Sequence, residues 1–257
     1  MTTLKALIFD VDGTLADTER DGHRVAFNQA FEEAGLDWRW SVDEYGKLLE
    51  VTGGKERIKH FLSLKHPAFL AEKQQDGSLD ELVKTLHARK TYFYTKLLSE
   101  GAIPLRTGVK RLLDEARQQG FRLAIATTTT PENVTSLLES TLGKESIDWF
   151  EVIAAGDIVP AKKPAADIYD YALEQMNLKA DECLAFEDSS NGIRSSLGAK
   201  LKTIITQNHY TEDHDFRDAA VVLDHLGEPD DSCTCIAGNI DHAKYISTDV
   251  LTKLFAA

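Results

Sequence analysis

The chain has 257 residues and a formal net charge of −13, with 42 acids against 29 lysines and arginines. That length suits one large domain plus a smaller one, and the acidic balance excludes a nucleic-acid or anionic-membrane surface, which needs a basic excess. The three cysteines, Cys183, Cys233 and Cys235, make no disulfide framework, and no apolar stretch spans a bilayer or reads as a signal or transit peptide, so a reducing, cytoplasmic setting is expected.

Leu4 to Phe9 is a short apolar run bounded by turn residues and predicts a buried parallel strand. From there to about Ile103 the periodicity is helical. His23, Phe27, Ala30, Phe31 and Ala34 share one face, which Gly35 ends. Ser41 with Glu44 makes a capping box before Tyr45, Leu48 and Leu49, and Gly53-Gly54 breaks that helix before Ile58, Phe61 and Leu62 resume the stripe. Ser78 with Glu81 makes a second box ahead of a long helix closed by Gly101. The rest alternates: a helix capped by Thr107, a strand from Phe121 to Ala126, a helix with Pro131 at its first position and a strand from Phe150 to Ala154. A helix from about Asp167, a strand from Cys183 to Phe186, a helix around Ile193 and strands near Ile204 and Val222 follow. The pattern predicts an α/β fold: a doubly wound parallel sheet core, residues 1–16 and 104–257, with an inserted small α-helical cap, residues 17–103. The cap would sit over the carboxyl end of the first strand, as a lid. The tail around Cys233 and Cys235 reads as a docking segment or a loosely ordered end, and two cysteines without a nearby His/Cys pair are weak evidence for metal.

Chemistry gathers where strands end. The first strand ends in Asp10 and Asp12, then Gly13 and Thr14. An Asx turn would explain the pair blandly, but a core has no use for neighbouring ionised acids. Ala185 to Asp188 repeats the theme, ending in Glu187 and Asp188; its bland reading is a helix N-cap, which Asn191 alone could supply. Two such tips in one parallel sheet would bring four carboxylates together and call for a hard divalent cation. Thr127 offers a hydroxyl at a third tip, with Thr128 to Thr130 beyond it; Thr130 can cap the next helix and leave Thr127 free. Lys162-Lys163-Pro164, in the loop after the strand ending near Ala154, would alone be solvated surface.

Taken in order, Asp10-x-Asp12-Gly13-Thr14, Thr127, Lys163-Pro164 and Glu187-Asp188 resemble the four motifs of the haloacid dehalogenase-like phosphohydrolase superfamily, over most of the chain to about residue 210. Thr52-Gly53-Gly54-Lys55-Glu56-Arg57-Ile58, Ala154-Ala155-Gly156-Asp157 and the threonine run resemble its CbbY-type branch. The resemblance implies an aspartyl-phosphate mechanism, with Asp10 as nucleophile and Asp12 as general acid and base. It implies Mg²⁺ held by Asp10, the Asp12 carbonyl, Asp188 and Glu187, with Thr127 and Lys163 attending the phosphoryl group. It implies a sugar-bisphosphate phosphatase, most nearly one that removes xylulose 1,5-bisphosphate, an inhibitory by-product of Rubisco. A β-phosphoglucomutase-like mutase shares these motifs; a receiver-like phospho-acceptor would need no helical insert. In the insert, Lys55 and Arg57 start a helix after a glycine pair, an arrangement that can cradle the uncleaved phosphate. Glu19 can meet sugar hydroxyls. His23 and Tyr45 can either touch substrate or pack in the insert's core. Nothing in the sequence specifies an oligomeric state.

Overall fold

In the computed structural model, residues 3–51 and 53–256 are described; Thr52, quoted in the resemblance, lies outside them. The chain forms two units, Met1–Asp17 with Ile103–Ala257, and Thr18–Ala102.

The first unit is built on a seven-stranded sheet of order β3-β2-β1-β4-β5-β6-β7. β1 (Ala6–Phe9) lies between β2 (Arg122–Thr127) and β4 (Cys183–Glu187), parallel to both, and β3 (Phe150–Ala155) extends the sheet beyond β2. β5 (Lys202–Thr206) and β6 (Val221–Leu223) continue it in parallel on the other side. β1 and β4 are apolar along nearly their whole length because both faces are covered. Ala6, Ile8, Ala124, Ala126, Cys183 and Ala185 pack one face against Ile168, Tyr169, Ala172 and Met176 of a covering helix. Cys183 is thus a core hydrophobe, and burial pushes its thiol up to about 12. The register pairs Phe9 with Ile125 and with Phe186. Asp10 and Glu187 therefore leave neighbouring strands at the same level, one residue past matched partners.

The tail differs from the expectation of a docking segment or loose end. β7 (Cys235–Gly238) pairs antiparallel with β6, and a terminal helix spans Thr248–Ala256. Both helix ends are tied down by charge of the sign the helix dipole favours. Glu115 accepts from the Thr248 backbone N–H at 2.9 Å and its hydroxyl at 2.6 Å, and Lys202 donates to the carbonyls of Leu254 and Phe255 at 3.0 Å each. Among the described residues, neither Cys233 nor Cys235 belongs to a cluster of three metal-ligating side chains.

The other α-helices of this unit are Val109–Gln118, Pro131–Leu142, Asp167–Met176 and Ser190–Gly198. Two of their starts differ from the sequence reading. Gly108, not Thr107, is the N-cap: it has φ of 86°, and a Cβ there would stand 2.4 Å from the Gly227 carbonyl. Ser189, not Asn191, caps the helix after β4, accepting from Gly192 N–H at 3.1 Å, while Asn191 accepts from Arg194. Thr130 caps the Pro131 helix.

The second unit runs through a π-helical turn (Thr18–His23) into Arg24–Glu33, then Val42–Leu48, Gly54–Lys65, Pro67–Gln75 and Leu79–Ser99. Its core is aromatic: Phe27, Phe31, Trp38, Trp40, Tyr45 and Phe61 are mostly sealed from solvent and stack or meet edge to face. Ser41 caps as expected, accepting from Glu44 N–H at 3.1 Å. Ser78 does not: its hydroxyl donates to Asp76, which closes the preceding turn instead. The Pro67–Gln75 helix was not expected; it buries no residue, so it leaves no apolar stripe to read. The linkers to and from this unit run side by side: Arg106 N–H donates to the Leu15 carbonyl at 2.8 Å, and Ala16 is bridged antiparallel to Leu105.

Candidate active site

Asp10 follows β1 directly, and its N–H continues the ladder to the Phe186 carbonyl at 3.0 Å. Its carboxylate lies beside those of Glu187 and Asp188, with one oxygen from each within 4.8 Å of the others, and all three residues are buried. Lys163 answers them: its ammonium donates to Asp10 Oδ1 at 2.7 Å and to Glu187 Oε1 at 2.6 Å. Glu187 Oε1 takes a second bond, from the Tyr169 hydroxyl at 2.6 Å, and Asp188 Oδ2 accepts from the Asn208 side chain, also at 2.6 Å. The loop after Asp10 can pass so close only because position 13 is glycine, with φ of 82°; a Cβ there would stand 2.1 Å from Asp188 Oδ2.

The structure thus brings Asp10, Lys163, Glu187 and Asp188 together. The Asp12 carboxylate is not part of the three-acid cluster; its residue is half-buried and bridged to Ala16. Thr127 is buried at the end of β2, its hydroxyl 3.4 Å from the Thr129 N–H, while Thr128 is exposed. Within the helical unit, Tyr45 donates to Glu19 Oε2 at 2.5 Å and receives a bond from Arg57 at 3.0 Å. Arg57 is buried and also donates to the carbonyls of Leu48 and Val51, whereas Lys55 is exposed. His23 packs on Tyr94 with ring centres 3.9 Å apart, and its Nδ1 is buried without a partner among the described residues. Burial first, then the charges of Lys90, Arg57 and His87, hold its imidazole well below the usual range, so it is neutral.

Sequence reasoning missed Tyr169, Asn208 and Arg106. Arg106 donates to the carbonyls of Gly13, Thr206, Gln207 and Asp224 and stands 3.5 Å from Asp17, tying the Asp12-Gly13 loop to the ends of β5 and β6. Each partner pair is distant in sequence, and Tyr169 fits the apolar stripe of its helix, so no local signal marks any of them.

Three buried acids face one ammonium, and the acids respond. Burial pushes Glu187 up to about 7 against the pull of Lys163, with the charge of Asp10 adding to the rise. Burial, then Asp10 and Glu187, lifts Asp188 well above the usual carboxylate range. Burial would lower Lys163, but the charges of Asp10 and Glu187 outweigh it and hold the ammonium firmly protonated. Glu187 Oε2 is buried with no partner among the described residues. An all-oxygen donor set with an excess of buried negative charge fits a hard divalent cation.

A pH dependence follows. Glu187 rises from an ordinary 4.5 to about 7. Between those values the folded, cation-free protein keeps protons that the unfolded chain has released. The stability these acids contribute is full below the lower value and is lost as pH climbs through the upper one. In chelator, the melting temperature is expected to fall between about pH 5 and about pH 8, and a divalent cation should remove most of that fall. Thermal melts across that range with and without the cation measure it; melts insensitive to both would show that the acids bind no cation.

Comparison with known proteins agrees with this geometry. Residues 4–199 match the haloacid dehalogenase-like hydrolase family. The chain is 44% identical to the plasmid protein CbbY of Cupriavidus necator over 88% of this chain and 87% of that one, and 48% identical to CbbY of Rhodobacter capsulatus over 83% and 89%. The crystal structure of CbbY from Rhodobacter sphaeroides in complex with phosphate superimposes with a TM-score of 0.69 at 42% identity, covering 86% of this chain and 94% of that one. A D10N variant of the R. sphaeroides protein has been crystallised with xylulose 1,5-bisphosphate. A β-phosphoglucomutase-like structure from Thermotoga maritima shares the fold at 23% identity and a TM-score of 0.63. No helix among the described residues is long and apolar enough to cross a membrane. The three motifs at strand ends, the Lys163 loop that reaches them and the extended similarity converge: the chain belongs to the haloacid dehalogenase-like hydrolases, in their CbbY branch, and is a phosphatase of that family.

Proposed function

We propose that this phosphatase acts on a sugar bisphosphate, xylulose 1,5-bisphosphate, with Mg²⁺ as its cation and an aspartyl-phosphate intermediate. The observation that carries this reading is the Lys163 bridge: one ammonium bonded to Asp10 and Glu187 fixes the Asp10 carboxylate at the strand tip. The likeness to a protein crystallised with that sugar bisphosphate supports the choice of substrate. Asp10, Glu187 and Asp188, with the Asp12 carbonyl, would hold the cation, which when bound offsets phosphoryl charge and so lets an anionic nucleophile approach.

Asp10 attacks phosphorus, and the bond from phosphorus to the sugar oxygen breaks. Asp12 gives its proton to that leaving oxygen, then takes one from the water that attacks the acyl phosphate. That second attack breaks the bond between Asp10 and phosphorus, releasing phosphate and restoring the free carboxylate. Lys163 stays charged throughout and offsets the anionic oxygens, to which Thr127 donates. The test is phosphate release across sugar mono- and bisphosphates with and without Mg²⁺. Incubation with β-glucose 1-phosphate and a trace of bisphosphate separates the alternative chemistry: glucose 6-phosphate would indicate a mutase, free phosphate a phosphatase.

In the helical unit, Lys55 and Arg57 bind the phosphate that is not cleaved, and Glu19, His23 and Tyr45 attend the substrate, as does Thr128 after β2. Arg57→Ala is expected to lose roughly 2–5 kcal/mol in kcat/KM on the bisphosphate. A simple monophosphate offers Arg57 nothing and should be unaffected. Because Arg57 also ties Leu48 and Val51 together, exposed Lys55→Ala is the companion variant. Equal losses on both substrates in both variants would make these cations structural and remove the main physical support for a bisphosphate.

A further inference from the structure

Tyr169 is unaccounted for by the chemistry above, yet it is fully buried in the helix Asp167–Met176 with its hydroxyl 2.6 Å from Glu187 Oε1. We propose that Tyr169 is a positioning residue for the reaction: its hydroxyl fixes the orientation of Glu187 and thereby keeps Lys163 shared with Asp10. The inference rests on the phosphatase reading of the site.

The two carboxylate oxygens of Glu187 are treated unequally. Oε1 receives Lys163 and Tyr169, which fills its two lone pairs, while Oε2 receives nothing. The Oε2 side is walled by the start of the helix Ser190–Gly198: even a methyl at Gly192 would stand 1.7 Å from that oxygen. Glu187 therefore cannot slide away from its two donors, and its rotation is set by which of them remain. With both present, Lys163 competes with Tyr169 for Oε1 and keeps a bond to Asp10 at 2.7 Å. Without the hydroxyl, Oε1 would be left to the ammonium alone, which would draw Lys163 toward Glu187 and off the nucleophile. Tyr169 is suited to hold this geometry. Its ring is locked in the core with Ile168, Ala172 and Met176, and Lys163 lies 5.2 Å above it. Burial and the neighbouring acids keep its phenol protonated, so it can only donate to the carboxylate.

Tyr169→Phe keeps the ring and the packing and removes one oxygen. Partners of this kind typically cost 10–100-fold in metal affinity or activity when lost. Two readouts are expected to move together: Mg²⁺ affinity without substrate, followed by calorimetric titration, should weaken by about tenfold or more, and kcat should fall by a similar factor with KM little changed. Wild-type Mg²⁺ affinity and kcat in Tyr169→Phe would overturn the inference, as would a lowered melting temperature with both constants intact, which marks a purely structural hydroxyl. Failure of the wild-type protein to bind Mg²⁺ or release phosphate would instead overturn the phosphatase reading on which the inference stands.

Discussion

Asp10→Asn is expected to abolish phosphate release while leaving the fold and substrate binding in place. The amide is nearly the shape of the carboxylate but has no anionic oxygen to attack phosphorus, so the loss should reach about ten-thousand-fold or more. Stability should not suffer, because Asp10 is one of three buried acids sharing a single ammonium, and Lys163 retains its bond to Glu187. Removing one like charge relieves Glu187 and Asp188, both of which Asp10 pushes upward. The measurement is single-turnover phosphate release together with a thermal melt. Substantial turnover in a well-folded Asp10→Asn protein would rule out an aspartyl-phosphate at this position.

Lys163→Met should damage activity and fold at once. Among the described residues, the ammonium is the one cation bonded to both Asp10 and Glu187. A methionine of similar length leaves those acids buried without their partner, a change that costs about 3–5 kcal/mol when one member of a buried pair is removed. The melting temperature in chelator should drop accordingly, and saturating Mg²⁺ should recover part of the drop, since the ion supplies positive charge to the same acids. Turnover should stay low even then, because no ammonium steadies Asp10 or offsets the charge on the transferring oxygens. Lys163→Arg is not expected to rescue it: the guanidinium is a planar fork that needs more room than a point-like ammonium. Unchanged melting and turnover in Lys163→Met would remove the electrostatic account of the site.

The sheet was legible in the sequence where strands are buried on both faces. Ala6–Phe9 and Cys183–Glu187 are apolar runs that end in acids, and both the runs and the acids read locally. What joins Asp10 to Glu187 is register, and register is a property of pairing that no single segment carries. Lys163 illustrates the limit: it sits beside Lys162 in a loop, and Lys162 does reach solvent and Asp157, as a surface lysine should. Only the family resemblance separated the two. Tyr169 and Asn208 meet their acids across 18 and 20 residues of chain, and each looks locally like a stripe or turn residue. β7 buries no residue and the terminal helix only Thr248 and Leu251, so neither carries a clear apolar stripe, and the helix's anchors, Glu115 and Lys202, lie far upstream.

The pairing of Ala16 with Leu105 has an evolutionary meaning. A segment that departs and returns at adjacent positions is, for the rest of the chain, one long loop whose closure is already secured at its neck. The entropy of closing such a loop grows only with the logarithm of its length, about 0.6 kcal/mol per doubling. Residues 18–102 can therefore be lengthened, shortened or exchanged for another fold with little consequence for strand order. The carboxylates belong to a chassis that has no stake in what is grafted at that neck. New substrate preferences can then arise by exchanging the graft, without rebuilding the reaction that the chassis performs.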